Sequence, residues 1–236
     1  SLDNFVPPKK MFNDKYAHRA SASKTMQEAY KNLAYKIKKK FKPKSILEIG
    51  SNDGVFIKYF SNINNVGVEP CKNLADLTSK MKIKTYDKFW TFQLSNKILS
   101  KHGKFDIIYS ANTISHIHNL NETFKAIENS LNANGIFILE DPSLLKSLQK
   151  LSYDQFYDEH VYVFSALSIK NIVEECNLKL FDVENISNHG GSLRYYICKQ
   201  KKNFKSSSRL KKILKDEIKL GLNNFKTFKK FAKRVY

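Results

Sequence analysis

Cysteine is scarce in this chain, with only three in 236 residues. Cys71, Cys176 and Cys198 lie far apart, form no CxxC pair and leave an odd count. This pattern indicates neither a disulfide scaffold nor a cysteine-ligated zinc cluster. We therefore expect a protein of a reducing, cytoplasmic compartment that holds no metal.

Long apolar runs are also lacking. No run approaches the roughly 20 residues that a membrane-spanning helix needs, and no signal-peptide pattern is recognisable at the start. We expect a soluble protein without a membrane partner. A chain of 236 residues can bury one substantial core, so we expect one main domain with short additions.

Acidic residues are few relative to basic ones: 22 Asp and Glu stand against 41 Lys and Arg, a formal net charge of +19. Such an excess raises nucleic acid and anionic membranes as partners. The charge is uneven, however, because residues 199–236 hold 14 basic and 2 acidic side chains. Much of the charge therefore belongs to one C-terminal segment, which weakens the case for a nucleic-acid partner.

Short apolar runs alternate with helical patterns through the middle of the chain. Such runs are typical of buried strands in a parallel sheet with right-handed crossovers. They cover residues 45–50, 65–70, 82–86, 105–111 and 135–141. Two later runs, 177–186 and 192–199, alternate more regularly and predict an antiparallel closing pair. The predicted fold is α/β: a mostly parallel sheet with an antiparallel final strand, flanked by helices.

The two ends of the chain differ from this core. Residues 1–41 predict an extended arm followed by an amphipathic lid helix, Ser23–Phe41, with Thr25 and Glu28 as a capping box. Residues 201–236 predict one basic amphipathic helix. We expect that helix to dock on a domain absent from this sequence or on a second subunit. The core domain is then 42–200.

A glycine turn follows the first predicted strand: residues 48–54 read EIGSNDG, and Glu69 ends the next strand. In doubly wound sheets this arrangement places an acid near the ribose hydroxyls of an adenosine-containing ligand. Asn52 and Asp53 fill the middle of the turn, and the carboxylates of Asp53 and Glu48 would repel a diphosphate. A sulfonium cation with an amino group tolerates them, which favours S-adenosylmethionine over NAD.

Two further segments are candidates for the reacting site. Residues 105–117 read FDIIYSANTISHI and place His116 just beyond the fourth strand, where ligands bind in open α/β sheets. Residues 153–165 read YDQFYDEHVYVFS, a mixture of aromatic and ionisable side chains suited to proton transfer. An amphipathic surface turn is the alternative interpretation of the second segment.

Taken together, the motifs resemble the S-adenosylmethionine-dependent sugar C-methyltransferases that act on nucleotide-linked 4-keto deoxysugars. The resemblance spans roughly residues 5–200. It is carried by YAHRAS (16–21), EIGSNDG (48–54), VGVEP (66–70), ANTISHI (111–117), FYDEHVYVFS (156–165) and HGGSLR (189–194).

The resemblance implies a class I methyltransferase core and a role for individual residues. His160 is expected to be the general base that forms a sugar enolate, and Tyr16 to close over cofactor and substrate. The other catalytic candidates around the sugar are Tyr157, Glu159 and His116. The expected S-adenosylmethionine contacts are Gly50, Asn52, Gly54, Glu69, Phe89, Ala111 and Asn112. The expected substrate contacts are His189, Ser192 and Arg194.

The sequence departs from this family at both ends. Family members usually have a cysteine-ligated zinc domain before the arm and a second Rossmann-like domain after the linker helix, and this sequence has neither. We expect either a fragment or a reduced homologue.

Three other functions are alternatives to sugar C-methylation. The first is an O- or N-methyltransferase acting on another glycan or small metabolite, which needs no base for a carbon acid. The second is a nucleic-acid-binding protein or RNA methyltransferase, for which the sequence lacks an Asn or Asp followed by Pro-Pro-aromatic. The third is a non-catalytic module that uses the fold as a scaffold.

Overall fold

The computed structural model describes residues 6–157, 159–186 and 191–235. Its centre is a seven-stranded sheet in the order β3-β2-β1-β4-β5-β7-β6. The strands β1 to β7 are Ser45–Ile49, Asn64–Val68, Lys84–Tyr86, Phe105–Ala111, Leu131–Pro142, Leu178–Ile186 and Ser192–Lys199. All pairings are parallel except those of β7, which runs antiparallel to β5 and β6. The predicted fold class is confirmed.

Helices cover both faces of this sheet. In chain order, α1 to α9 are Pro8–Met11, Lys24–Phe41, Lys72–Lys80, Phe92–His102, Leu120–Ser130, Leu144–Lys150, Ala166–Glu175, Ser208–Leu220 and Phe225–Val235. Short 3₁₀ turns are Ala20–Ala22, Ile57–Phe60, Ile114–His116 and Tyr153–Gln155. No helix within the described ranges is long and apolar enough to cross a membrane.

The strand register brings three strand ends together. All five residues of β1 are buried, as expected for a strand covered on both faces. Ile49, at its carboxyl end, is level with Val68 of β2 and Ser110 of β4. The loops that follow β1, β2 and β4 therefore start side by side at one edge of the sheet.

The N-terminal segment is more structured than an extended arm, since it contains α1 and a 3₁₀ turn. The predicted capping box of α2 is wrong. The helix begins at Lys24, and the hydroxyl oxygen of Ser23 accepts a hydrogen bond from the Met26 amide at 3.3 Å. Thr25 therefore lies inside the first turn and cannot cap it.

The glycine turn does not open an α-helix. It leads into the 3₁₀ turn Ile57–Phe60. Few residues separate Gly54 from the start of β2 at Asn64. The chain has no room for a crossover helix of ordinary length there.

The C-terminal segment forms two helices, α8 and α9, where the sequence predicted one. Gly221 ends α8 with a φ of +81°, a left-handed conformation that glycine adopts without steric cost. Docking of this segment on an absent domain or subunit does not hold for α8, because Leu210, Ile213 and Leu222 join the main hydrophobic core. The apolar face of α8 thus packs against the chain's own domain.

Arg194 forms a buried ion-pair network across β5, β7 and β6. Its Nε donates to Glu140 at 2.6 Å and its Nη1 donates to Glu184 at 2.9 Å. Arg194 and Glu140 are both buried, so each charge depends on its partner.

We expect Arg194→Met to lower the free energy of unfolding by about 3–5 kcal/mol, because Glu140 then keeps a buried, unpaired charge. Urea denaturation followed by circular dichroism measures this loss. The control is Lys170→Met, which removes the exposed ion pair with Glu174 and should change stability little. Equal effects of the two variants would contradict the assignment.

Candidate active site

A large cavity lies at the edge where the loops after β1, β2 and β4 meet. Its volume is about 1360 Å³, larger than the roughly 300–1,000 Å³ of an ordinary small-molecule pocket. Its wall is formed by the N-terminal segment, the glycine turn, the ends of β2 and β4, and the four residues Gln155, Tyr157, Glu159 and His160. The cavity has room for two ligands at once.

The glycine turn closes one end of this cavity. Gly50 lines the wall and has a φ of +74°, and a Cβ there would lie 2.0 Å from the Thr113 hydroxyl oxygen. Only glycine fits this position. Gly54, expected to contact the cofactor, is not part of the wall. It shapes the turn instead, with a φ of +78° and a Cβ position only 2.9 Å from Thr78.

Glu69 lies beside the turn and lines the cavity. One carboxylate oxygen accepts from the Asn52 amide at 2.8 Å and the other from the Cys71 amide at 2.9 Å. Burial raises the pKa of Glu69, and these two backbone hydrogen bonds oppose that effect. Each oxygen retains a further acceptor site, so the carboxylate suits a vicinal diol such as that of a ribose.

Other acidic groups surround the turn. Glu48 lines the cavity, and its Oε2 has no hydrogen-bond partner among the described residues. Burial raises the pKa of Glu48 well above its ordinary value. An ammonium group placed there would supply the missing donor. The acidic lining therefore fits the amino group and sulfonium charge of S-adenosylmethionine and would repel a diphosphate.

The side chain of Asn52 holds the N-terminal segment. Its Oδ1 accepts from the Ala20 amide at 2.9 Å, and its Nδ2 donates to the His18 carbonyl at 3.2 Å. Asp53 binds the same segment, since its Oδ2 accepts from the Ser21 hydroxyl at 2.5 Å. The two residues therefore fasten the segment over the cavity, and because Asn52 also lines that cavity, its expected contact with the cofactor stays a prediction.

Phe89, Ala111 and Asn112 line the cavity, so the structure brings these predicted cofactor residues to one wall. Trp90 is also in the wall and was missed. Its Nε1 donates to the Thr123 carbonyl at 3.4 Å. A single tryptophan beside Phe89, just after a strand, was the available signal.

His160 is buried and also lines the cavity. Its Nδ1 lies 2.9 Å from the Gln155 carbonyl oxygen. A carbonyl can only accept, so Nδ1 carries the proton of the neutral ring and Nε2 carries the lone pair. The Tyr157 hydroxyl lies 3.3 Å from Nε2. Burial lowers the pKa of His160, although the Gln155 bond and the charge of Glu159 oppose this.

The side chain of Glu159 does not orient the imidazole of His160. The Gln155 carbonyl orients His160, whereas the Glu159 carbonyl accepts from Nδ1 of His116 at 2.5 Å. The Glu159 side chain lines the cavity. Burial is the main cause that raises the pKa of Tyr157, and the charge of Glu159 adds to this effect.

His116 lies beside His160, with ring centroids 5.1 Å apart. Burial lowers the pKa of His116 to about 4. The ring is therefore neutral near pH 7. Tyr16 also lines the cavity, and its carbonyl accepts from Asn73 at 3.0 Å. The five catalytic candidates thus share one cavity.

The predicted substrate contacts within the described residues do not line the cavity. Ser192 and Arg194 are buried within β7 and do not line the cavity. The guanidinium of Arg194 forms ion pairs with Glu140 and Glu184, which corrects its assignment as a substrate contact. His189 lies outside the described residues.

Two family models match the chain. A model described as a methyltransferase domain matches residues 16–183, and one described as a C-methyltransferase C-terminal domain matches residues 187–236. The chain is also similar to the C-methyltransferase NovU of Streptomyces niveus, with 26% identity over 189 residues. That match covers 79% of this chain and 45% of the relative, so the chain spans about half of the relative's length.

Solved structures share the fold at low sequence identity. An S-adenosylmethionine-dependent methyltransferase from Clostridium acetobutylicum is 15% identical with a TM-score of 0.56, covering 73% of this chain and 91% of that one. The CcbJ methyltransferase from Streptomyces caelestis is 10% identical, TM-score 0.57, covering 72% and 89%. Magnesium protoporphyrin IX methyltransferase from Synechocystis, with bound SAH, is 10% identical, TM-score 0.54, covering 73% and 83%.

Replacing Asn52 tests the fastening of the N-terminal segment. We expect Asn52→Gly to accelerate hydrogen exchange of the Ala20 amide, because glycine keeps the left-handed backbone (φ 47° at Asn52) and removes only the side-chain acceptor. Exchange measured by NMR should leave the β1 and β4 amides unchanged. Unaltered protection at Ala20 would contradict the assignment.

Burial of neutral His116 predicts a pH dependence of stability. Between the ordinary histidine pKa near 6.5 and about 4, the unfolded chain binds the proton more readily, so stability falls as pH falls through this window. The loss is at most about 3 kcal/mol.

Other groups titrate in this range, so the measurement is a difference between two proteins. Burial raises the pKa of Asp141 to about 7, which adds stability as pH falls and opposes His116. Urea denaturation of wild type and His116→Gln across pH 4–8 cancels this common contribution. Parallel curves for the two proteins would show that His116 titrates normally.

Proposed function

The chain belongs to the methyltransferase domain family, and from this premise we propose that it methylates a carbon atom beside the ketone of a nucleotide-linked 4-keto deoxysugar. Its methyl donor is S-adenosylmethionine, which supplies an electrophilic methyl group on a sulfonium centre. The similarity to a C-methyltransferase and the match to a C-methyltransferase C-terminal domain support carbon as the acceptor.

One observation carries the proposal: His160 presents an unprotonated Nε2 in the same cavity as Glu69 and the glycine turn. Methylation of carbon requires removal of a carbon-bound proton, and a neighbouring ketone makes that proton acidic. An imidazole that is neutral near pH 7 is suited to take it. Methylation of oxygen or nitrogen requires no removal of a carbon-bound proton.

The side chains around His160 suit the charges that develop. Burial, with a contribution from Glu159, raises the pKa of Tyr157, so its hydroxyl stays protonated and donates a hydrogen bond to an enolate oxygen. The carboxylate of Glu159 favours the imidazolium that forms when His160 accepts the proton. The two residues therefore stabilise opposite charges of the same step.

The N-terminal segment supports this chemistry by covering the cavity. The Phe12 ring packs against both Tyr16 and His116, with centroids 5.3 Å apart in each case. Asn52, Asp53 and Asn73 hold the segment by hydrogen bonds. Excluding water protects a carbanion from reprotonation and holds the reacting groups in contact.

The test compares His160→Gln with the wild type in deuterated water, using S-adenosylmethionine and a panel of nucleotide-linked 4-keto sugars. We expect His160→Gln to slow both deuterium incorporation beside the ketone and methyl transfer by about 10²- to 10⁴-fold. Calorimetry should show unchanged affinity for S-adenosylmethionine, because the substitution leaves Glu48, Glu69 and the glycine turn unaltered.

Tyr153→Phe is the matched control, since Tyr153 belongs to the same segment and its side chain is largely exposed. It should behave as the wild type. Methyl transfer that survives in His160→Gln, without deuterium incorporation in either protein, would replace this proposal with methylation of oxygen or nitrogen.

A further inference from the structure

Residues 153–165 are here called the histidine segment. Its later half is tied to other elements, because the Tyr162 amide donates to the Ser115 carbonyl at 3.1 Å and the Phe164 carbonyl accepts from the Leu144 amide at 2.8 Å, whereas the described residues before Val161 form mainly local backbone hydrogen bonds. Their backbone hydrogen bonds include local contacts such as Phe156 to Tyr153 at 2.9 Å and His160 to Tyr157 at 2.9 Å. The first half of the segment also exposes large rings, with Tyr153 63% and Phe156 40% exposed. Its conformation therefore depends on side-chain contacts from elsewhere.

One such contact comes from the C-terminal helix α9. The rings of Phe156 and Phe231 lie 5.8 Å apart, a distance at which aromatic pairs attract. Phe231 is partly buried against the main core, and Phe228 of the same helix packs there as well. Phe231 thus connects the start of the histidine segment to the body of the domain.

The position of Phe156 bears directly on His160. The peptide unit that joins Gln155 to Phe156 contains the carbonyl that accepts from Nδ1 of His160. Peptide planarity fixes that carbonyl relative to the amide of Phe156. A shift of Phe156 therefore moves the acceptor that keeps the proton on Nδ1 and the lone pair on Nε2.

The helix that precedes α9 is itself fixed to the end of the histidine segment. Glu217 of α8 is fully buried, and its two carboxylate oxygens accept from the amides of Ala166 and Leu167 at 2.7 and 2.8 Å. These amides begin α7, directly after the segment. The two C-terminal helices thus contact the segment's start and the residues after its end.

We propose that Phe231 is a positioning residue for His160: through Phe156 and the Gln155 carbonyl, it holds the imidazole with its lone pair on Nε2. The expected loss of activity rests on the proposed function, whereas the expected change in the His160 tautomer does not. None of the motifs that identify the site includes Phe231, which lies far along the chain from the histidine segment.

Phe231→Ala tests the proposal, with Phe225→Ala as the matched control. Both residues are phenylalanines of α9, but Phe225 is 71% exposed. In protein labelled with ¹⁵N at histidine, we expect the Phe231→Ala spectrum to show His160 in a mixture of tautomers. Wild type and Phe225→Ala should show one tautomer, protonated on Nδ1. This measurement needs no substrate.

The kinetic arm follows methyl transfer. We expect Phe231→Ala to lower kcat about tenfold or more, since small displacements of reacting groups are costly, with the affinity for S-adenosylmethionine unchanged. Phe231→Leu, which keeps an apolar contact, should recover much of the loss. Thermal unfolding of each variant monitors the fold.

A single His160 tautomer in Phe231→Ala, indistinguishable from Phe225→Ala, would overturn the proposal. So would a loss of cofactor affinity that matches the loss of activity, because that would mean a general effect on the fold. If the proposed function fails, His160→Gln retains activity, yet the tautomer measurement still decides the role of Phe231. The two failures are therefore distinguishable.

Discussion

Parallel pairing of β1 with β2 and β4 is the constraint on which the site depends. Because these strands point the same way, the residues that follow Ile49, Val68 and Ala111 meet at one edge. The glycine turn, Glu69 and the loop leading to His116 are brought together by pairing alone. Much of the cavity wall is then built from loops and short 3₁₀ turns.

The cavity combines acidic and neutral ionisable groups. Glu48 and Glu69 lie beside the glycine turn, where a cationic ligand is favoured. The same cavity is lined by two histidines whose pKa values burial lowers, so they are neutral near pH 7. In the proposed reaction, the sulfonium of the donor and a neutral base therefore share the cavity without repelling each other. Methyl transfer removes the positive charge from the donor, which weakens its attraction to the acidic groups.

The strands were predicted well because the spacing and the apolar character of side chains determine which of them are buried. Every predicted strand was found within a few residues, and β7 was correctly expected to be antiparallel. Placing His160, Tyr157 and Glu159 near the cavity depended on motif resemblance, since periodicity contains no information about that contact. Reading the helix caps was less successful, as Ser23 shows, because neighbouring polar residues can each satisfy the same amides.

Side-chain partners were the part that sequence could not provide. Arg194 has the chemistry of a phosphate ligand, but two carboxylates on neighbouring strands bind it inside the sheet. Asn52 has the position of a cofactor ligand, but its amide fastens the N-terminal segment. In both cases the competing partner is distant in sequence. A polar residue's role is set by the first partner that folding brings within hydrogen-bond distance.

The C-terminal helices show the same principle acting over a longer range. Their positive charge and apolar face suggested an external partner, yet Glu217 is one of only two acids in residues 199–236 and is buried against α7. A carboxylate at a helix start satisfies otherwise unpaired amides and interacts favourably with the helix dipole. The inner face of this segment therefore has an intramolecular role, whereas Ile218 of α8 and Phe225 of α9 face solvent. The site's geometry thus extends beyond the residues that line the cavity to helices at the far end of the sequence.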